Sequence, residues 1–384
     1  MISDVAVGAY HHYCSQLCNG LVAQPDIDTI RLVSIFGERE HVGVAPEEQK
    51  LLHPRVSIEV LGPGTGSKFG RYVLFLHNAL GYIKRVIKDP PDVVHIQTPT
   101  GNLVLDVGLL LLYRCLRIPI IRTIHEVTAA ERSGRPTFVE RWIGHGQLRL
   151  AHALIVHDAA TRQRLHDISA PAIPVSVIPH GNYLFFRTYR QPTKAAAKPR
   201  TIPVALFLGI KRHKGLEVFA KALRQLQNAD YPIRAIIAGK VNPGDEDLIE
   251  SFNNLRIAEV QTGYVPNSQL WRLFELSDMV VLPYLQGTTS GSIHLAYAFK
   301  RPVIVSDLPC FQELVTPGKT GLVVPRGDPD ALKTALMMLS ADPDLRARMG
   351  EEGFRVESSP PFDWQHIAAQ TAQLYREVAT RRRF

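Results

Sequence analysis

The sequence predicts an α/β chain of two doubly wound units, each a parallel sheet covered by helices on both faces. Three observations carry this. Short, nearly continuous apolar runs recur along the chain, amphipathic helical patterns separate them, and one polar, basic stretch with neither pattern (187–200) interrupts the series near its middle. An apolar run without alternation is what a strand covered on both faces requires, because neither row of side chains meets water. Such strands alternating with helices are the pattern of a sheet wound by crossover connections.

Taken in order, the first strand reads as cut short: 1–4 has the character of a strand end entering a loop, with Val5 to Val7 as its remainder. "KFGRYVLFLHNALGYIKRVIKD" (68–89) is a helix that is apolar and basic together. "PDVVHIQ" (91–97) is the next strand. "NLVLDVGLLLLYRCLRIPII" is the most apolar stretch, but Asp106, Arg114 and Arg117 interrupt it short of the ~20 apolar residues of a membrane span. It reads as a buried helix leading into the strand "IPIIRTIHE" (118–126). "ALIVHD" (153–158) and "VSVIP" (175–179) complete the first half. Beyond the linker, the strands are "PVALFLG" (203–209), "IRAIIAG" (233–239), "MVVLPY" (279–284) and "RPVIVSD" (301–307), with helices such as "GLEVFAKALRQLQN" and "NSQLWRLFELS" between them. The expected domains are 1–186 and 201–361, joined by 187–200.

At 384 residues the chain is long enough for two domains of ordinary size. Its net charge of +8 suits anionic partners such as nucleotides or phosphate-bearing lipids, and equally a basic surface with no single partner. No patch interleaves aromatics with arginines, so nucleic acid is not an expected partner. Cys14 and Cys18 are four apart with no second pair at ligand spacing, and Cys115 and Cys310 stand alone. That pattern is neither a zinc site nor a disulfide framework, and reads as buried reduced thiols of a cytoplasmic protein. The opening residues have neither the basic start nor the apolar core of a signal peptide.

Ligands of open parallel sheets bind beyond the carboxyl ends of the strands. Those ends carry Gly8 with Tyr10, His11 and His12; Gln97; His125; His157 with Asp158; and His180. In the second half they carry Gly209 with Lys211 and Lys214, Gly239, the run from Tyr284 to Ser290, and Asp307. Any one histidine there could simply bond backbone; the recurrence from strand to strand is the signal. In "FLGIKRHKG" (207–215), Lys211 and Lys214 project from a turn just before a helix, a place suited to a diphosphate whose charge grows as a sugar leaves. In "QGTTSGSIHLAYAF", Gly287 and Gly291 permit close backbone approach. Thr288, Thr289 and Ser290 offer hydroxyls, and the helix start offers free N–H groups. An ordinary helix capped by Ser290 or Ser292 is the plainer alternative.

These motifs, with "VVHIQ", "RTIHE", "IVHD", "VIPHG", "TGYVPNSQL", "DMVVLPYLQGTTSG" and "RPVIVSDLPCFQELVTPGKTGLVVPRGDPDAL", fall in the order of a family of retaining sugar-transferring enzymes. The chain resembles the family-4 glycosyltransferases (glycosyl transferases group 1) over nearly its whole length. The resemblance implies the GT-B fold: two Rossmann-like domains facing a central cleft, with the closing helix "FDWQHIAAQTAQLYREV" crossing back so that 362–384 completes the first domain. It implies a nucleoside diphosphate sugar as donor, a glycan or lipid-linked acceptor, and no cofactor or metal. Lys211 and Lys214 match the family's diphosphate-gripping Arg and Lys. His125 matches a histidine near donor sugar and acceptor, Tyr264 and Val265 the loop beside the nucleobase, and Gly8 to His12 the glycine-containing loop, here without its double glycine. Gly239, Gln97 and His180 fall on the remaining strand ends.

One departure stands out. The family carries two glutamates in the donor stretch, yet no carboxylate lies between Gln286 and Val305. The second glutamate's position is Leu295, with His294 beside it as a substitute ribose partner; the first falls at Gln286 or Gly287, and the Gln286 amide retains hydrogen-bonding capacity toward a sugar. Two other classes stay open on this ground. One is a non-catalytic sugar-nucleotide or glycan-binding protein of the same fold; the other is an epimerase acting on the sugar nucleotide alone. The helix at 68–89 fits either an anionic membrane surface or an ordinary basic outer face.

Overall fold

A computed structural model describes residues 2–8, 11–34, 52–60, 68–97, 103–125, 148–169, 171–190, 201–241, 244–287 and 290–380. The chain divides into two compact units, Met1–Gly181 with Pro360–Phe384, and Asn182–Ser359. Residues 191–200 of the expected linker lie outside the described residues.

In the first unit, β1 (Ile2–Gly8), β2 (Ile27–Ser34), β3 (Val56–Val60), β4 (Val93–Ile96), β5 (Ile120–Thr123), β6 (Ala153–Val156) and β7 (Val175–Val177) form one parallel sheet in the order β3-β2-β1-β4-β5-β6-β7. The expectation of a truncated first strand does not hold. β1 is a seven-residue inner strand, with Val5 opposite Ile30 on one side and Val93 on the other. Ser3 and Asp4 break the apolar run, but ladder pairing is a backbone property and tolerates them.

Among the described residues, the helices of this unit are α1 (His11–Val22), α2 (Lys68–Lys88), α3 (Leu103–Cys115), α4 (Ala159–Ser169) and Trp364–Thr380. Helix α1 buries Tyr13, Cys14, Leu17, Cys18 and Leu21, a helical stripe, against Trp364, Ile367, Ala368, Ala372 and Tyr375 of that last helix. Gly20 makes the approach possible, since a Cβ there would stand 2.7 Å from the Trp364 carbonyl oxygen. Three cysteines are buried as expected, whereas Cys115, the last residue of α3, is exposed.

The second unit holds β8 (Val204–Leu208), β9 (Arg234–Gly239), β10 (Ala258–Thr262), β11 (Met279–Leu282), β12 (Val303–Ser306) and β13 (Gly321–Val324), parallel, in the order β10-β9-β8-β11-β12-β13. Its helices are α5 (Leu216–Asn228), α6 (Asp247–Glu250), α7 (Asn267–Glu275), α8 (Gly291–Ala298), α9 (Pro309–Gln312), α10 (Pro329–Ala341) and α11 (Pro343–Glu357), and the closing helix of the first unit follows as α12. Ala205 and Phe207 of β8 enter one core with Phe219, Leu223 and Leu336, while Leu206 and Leu208 enter the other with Phe186, Ile293 and Tyr297. Both rows of the strand are buried, which is why its sequence shows no alternation. Strands β2, β3, β10 and β13 were not expected: Asp28, Thr29 and Arg31 interrupt β2, and β10 is a half-exposed edge strand.

Candidate functional site

In the second unit the ends of β8 and β11 meet. The chain leaves β8 through Gly209 (φ +82°), where Lys214 folds back and donates from Nζ to the Leu208 carbonyl at 3.0 Å. A Cβ at Gly209 would lie 2.5 Å from that Nζ, and one at Gly239 would meet Gly209 Cα at 2.8 Å, so the two strand ends and the ammonium share one tight space. Gly215 (φ +73°) presses its backbone onto Pro283, and the Leu285 amide donates to the His213 carbonyl at 2.8 Å. The loops after β8 and β11 are thereby locked together. Arg212 is drawn aside into ion pairs with Glu217 and Asp247. Lys211, half-buried with extended backbone, precedes this turn.

Beyond β11 stands Tyr284, nearly buried, with Lys214 Nζ 5.2 Å above its ring and Ser290 Oγ 3.4 Å from its hydroxyl. Burial alone would raise the phenol's pKa, but the Lys214 charge and hydrogen bonds with Ser290, Lys214 and Ser292 outweigh it and hold the group below its ordinary value. Ser290 caps α8, its Oγ accepting the Ser292 amide at 3.3 Å. Gly291 opens the helix against Tyr183, whose Oη lies 2.7 Å from where its Cβ would be. Lysine, phenol and serines therefore converge on the start of α8, a cationic, donor-rich corner of the kind an anion occupies.

Gln286 is exposed beside this corner and Gly287 has an unhindered backbone, while Thr288 and Thr289 lie outside the described residues. Tyr264, 50 % exposed, and half-buried Val265 sit in the loop after β10. His294 departs from expectation. It is 1 % exposed and its Nδ1 is 2.8 Å from Glu357 Oε2, so it faces the interior of the unit rather than a bound ribose. Leu295 is buried as well.

In the first unit the strand-end histidines form one chain of contacts. His157 Nδ1 donates to the Ile178 carbonyl at 3.0 Å, and its Nε2 is 3.0 Å from His125 Nδ1. His125 Nε2 is 2.8 Å from Gln97 Oε1, and the Gln97 amide reaches His95 Nε2 at 3.1 Å. His95 in turn lies 2.7 Å from both Tyr375 Oη and Thr123 Oγ1. Tyr13 presents its ring to His125, His157, His180 and Trp364 at centroid distances of 4.9 to 5.4 Å. His180 Nδ1 donates to the Gly181 carbonyl at 2.8 Å. Gly8 ends β1 and His11 and His12 open α1; Tyr10 lies outside the described residues. The sequence placed Gln97, His125 and His180 here. It gave no hint of His95, Tyr375 or Trp364, whose partners are far away in the chain. Asp158 proves to be a helix cap, accepting the Thr161 amide at 2.6 Å. Among the described residues, no group of three or more His, Cys, Asp or Glu is arranged to hold a metal ion.

Burial, and then the charge of His157, lower the His95 pKa from 6.5 to about 3. The unfolded chain therefore binds a proton that the folded protein refuses, and stability falls as the pH drops from 6.5 toward 3. This one group contributes at most about 1.4 kcal/mol per pH unit. Urea unfolding at pH 7.5 and at pH 5 checks it. His95→Gln is expected to flatten the acid loss by up to one proton's slope, and an unchanged slope would count against the assignment.

Two family models match the chain: Glycosyltransferase Family 4 over residues 16–182 and Glycosyl transferases group 1 over residues 202–342. Among curated relatives, phosphatidyl-myo-inositol mannosyltransferase of Mycobacterium leprae (strain TN) is 26% identical over 293 residues, 75% of this chain and 74% of its own. D-inositol 3-phosphate glycosyltransferase of Corynebacterium glutamicum (strain R) is 29% identical over 284 residues, 68% and 67% of the two chains. Among solved structures, sucrose-phosphate synthase from Thermosynechococcus elongatus aligns with a TM-score of 0.73 at 20% identity, covering 98% of this chain and 99% of that one. HepE from Anabaena in complex with UDP-glucose aligns at 0.72 with 14% identity, covering 98% and 100%. At such identities the likeness shows the fold, which is GT-B.

Proposed function

The chain belongs to the family-4, group 1 glycosyltransferases, and from that premise we propose that it moves a sugar from a nucleoside diphosphate sugar to a glycan or lipid-linked acceptor, with retention at the anomeric carbon and without a metal ion. The observation that carries the donor half is Lys214. It is anchored by the Leu208 carbonyl over the Tyr284 ring, beside the Ser290-capped start of α8. An ammonium, hydroxyls and helix N–H groups fixed at one place can take up the charge of a departing diphosphate, the work a metal ion would otherwise do. In the proposed step the anomeric carbon's bond to the phosphate oxygen breaks and its bond to the acceptor oxygen forms on the same face. The acceptor's proton goes to the leaving phosphate. The first unit, with His125 held between His157 and Gln97, takes the acceptor.

Bacterial glycolipid or polysaccharide synthesis is the setting this reading favours, since the relatives above act by name on inositol phosphates and phosphatidyl-inositol. Among the described residues no helix is long and apolar enough to cross a membrane. Helix α2 offers a different kind of contact. Val73, Leu76, Leu80 (58 % exposed) and Ile87 (55 %) lie along one outer stripe, with Lys84 and Lys88 beside it and Tyr82 and Val86 facing the core. Such a helix suits the cytoplasmic face of an anionic membrane. Co-sedimentation with phosphatidylglycerol vesicles at low salt is expected for the intact protein and not for Leu80→Glu/Ile87→Glu. Wild-type protein left wholly in the supernatant would defeat the membrane reading.

The donor assignment is tested by thermal shift with UDP, GDP, ADP and TDP and their sugar conjugates, with and without magnesium. A ligand at ~100 times its Kd stabilises by about 2.7 kcal/mol, well within reach of a melting experiment. A selective shift independent of magnesium names the base. No shift with any nucleotide would favour the non-catalytic glycan-binding alternative, to which the absent glutamates point.

A further inference from the structure

Helix α11 ends in Glu357, a carboxylate only 1 % exposed, and both of its oxygens are engaged. Oε1 accepts the Tyr183 amide at 2.6 Å and Oε2 faces His294 Nδ1 at 2.8 Å. A buried carboxylate is tolerated only when paired and hydrogen-bonded, and removing either partner leaves its desolvation cost standing. The three groups come from distant parts of the chain. Tyr183 follows Asn182, where the second unit begins, Glu357 stands just before Ser359, where it ends, and His294 belongs to α8.

The contacts close a ring. From Glu357 the path runs through His294 into α8, back to Gly291 at that helix's start, across to the Tyr183 ring packed against it, and through the Tyr183 amide to Glu357 again. The Tyr183 and His294 rings are themselves 5.9 Å apart. The helix start held in this ring is the one whose Ser290 reaches Tyr284, under Lys214. No contact with solvent-borne ligand is open to Glu357 or His294, so the pair acts through the helix.

We propose that Glu357 is a positioning residue of the donor site: by tying His294 to the Tyr183 amide, it fixes the start of α8, and with it Ser290, against Tyr284 and Lys214. This rests on the reading that the corner takes a diphosphate. The carboxylate that serves the donor helix in this chain then comes from α11, on the helix's buried side, where the family pattern would have placed one within α8 itself.

Titration calorimetry with UDP, GDP, ADP and TDP, run beside melting curves, tests it on wild type, Glu357→Ala, His294→Leu, their double variant and Glu357→Gln. A misplaced anion corner is expected to weaken nucleotide binding about tenfold in either single variant. The double variant should be no weaker than the worse single, because both cut the same tie. Glu357→Gln, whose amide can still accept from Tyr183 and face His294, should stay within about threefold of wild type. Should Glu357→Ala not fold, His294→Leu and Glu357→Gln decide the matter by the same criteria. Folded variants that melt earlier yet bind with wild-type affinity would make Glu357 a stability residue and overturn the inference alone. Wild-type protein that binds no nucleotide would overturn the donor-site reading and this inference with it.

Discussion

Lys214→Ala is expected to abolish the nucleotide-induced melting shift and to cut transfer from the donor so identified by about 10²–10³-fold, the usual loss when one preorganised donor to a developing oxyanion is removed. The side chain is fixed before any ligand arrives. Its Nζ donates to the Leu208 carbonyl and stands over Tyr284, in space that the missing Cβ of Gly209 leaves free for it. An ammonium already oriented gives up little freedom on binding, and its interaction strengthens as charge grows on the departing diphosphate. The variant also removes the largest influence lowering the Tyr284 pKa, leaving only the Ser290 and Ser292 hydrogen bonds to oppose burial. Stability should change little, since a half-buried lysine on a turn supports no core. Lys211→Ala, on a side chain that the structure does not anchor, should cost less. Lys214→Ala retaining transfer within threefold of wild type would remove Lys214 from the machinery.

The contrast between what the sequence disclosed and what it withheld follows from distance along the chain. Strands such as β6 and β11 are legible because every residue in them is buried, so four consecutive apolar letters suffice. The inner position of β1 was not, since pairing on both sides leaves no mark in a segment containing Ser3 and Asp4. The turn with Lys214 and the capped start of α8 were legible as local chemistry, a cation before one helix and hydroxyls before another. Tyr284 was within the strand-end run, but its role depends on Lys214 crossing from another loop. His294 stands one residue from the family's glutamate position: a single step along a helix turns a side chain by roughly 100°, and here it points into the unit toward a carboxylate from α11. The pairing of His95 with Tyr375, joining β4 to the closing helix, is likewise invisible to any local pattern.

Gly215→Ala should be the most damaging small substitution in the second unit. Two penalties fall on one methyl group. Its backbone sits at φ +73°, where a Cβ costs about 1–2 kcal/mol. The Cβ would also lie 1.9 Å from the Pro283 carbonyl oxygen and 2.9 Å from its carbon, main-chain atoms that cannot rotate away, and relieving such overlap costs about 1–3 kcal/mol more. At about 2–4 °C per kcal/mol for a unit of this size, melting should fall by roughly 4–20 °C. Gly318→Ala separates the two penalties: Gly318 has φ +75° but nothing within 4 Å of its Cβ position, so it bears the backbone cost alone. Gly215→Ala must therefore melt clearly below Gly318→Ala, and equal melting would mean that the approach to Pro283 is not maintained in solution. Function should follow the same order. Pushing Pro283 away strains the Leu285-to-His213 bond and parts the loop of Lys214 from that of Tyr284, so nucleotide affinity should drop in Gly215→Ala even at temperatures where it is fully folded. In Gly318→Ala, which leaves those two loops together, affinity should be that of wild type.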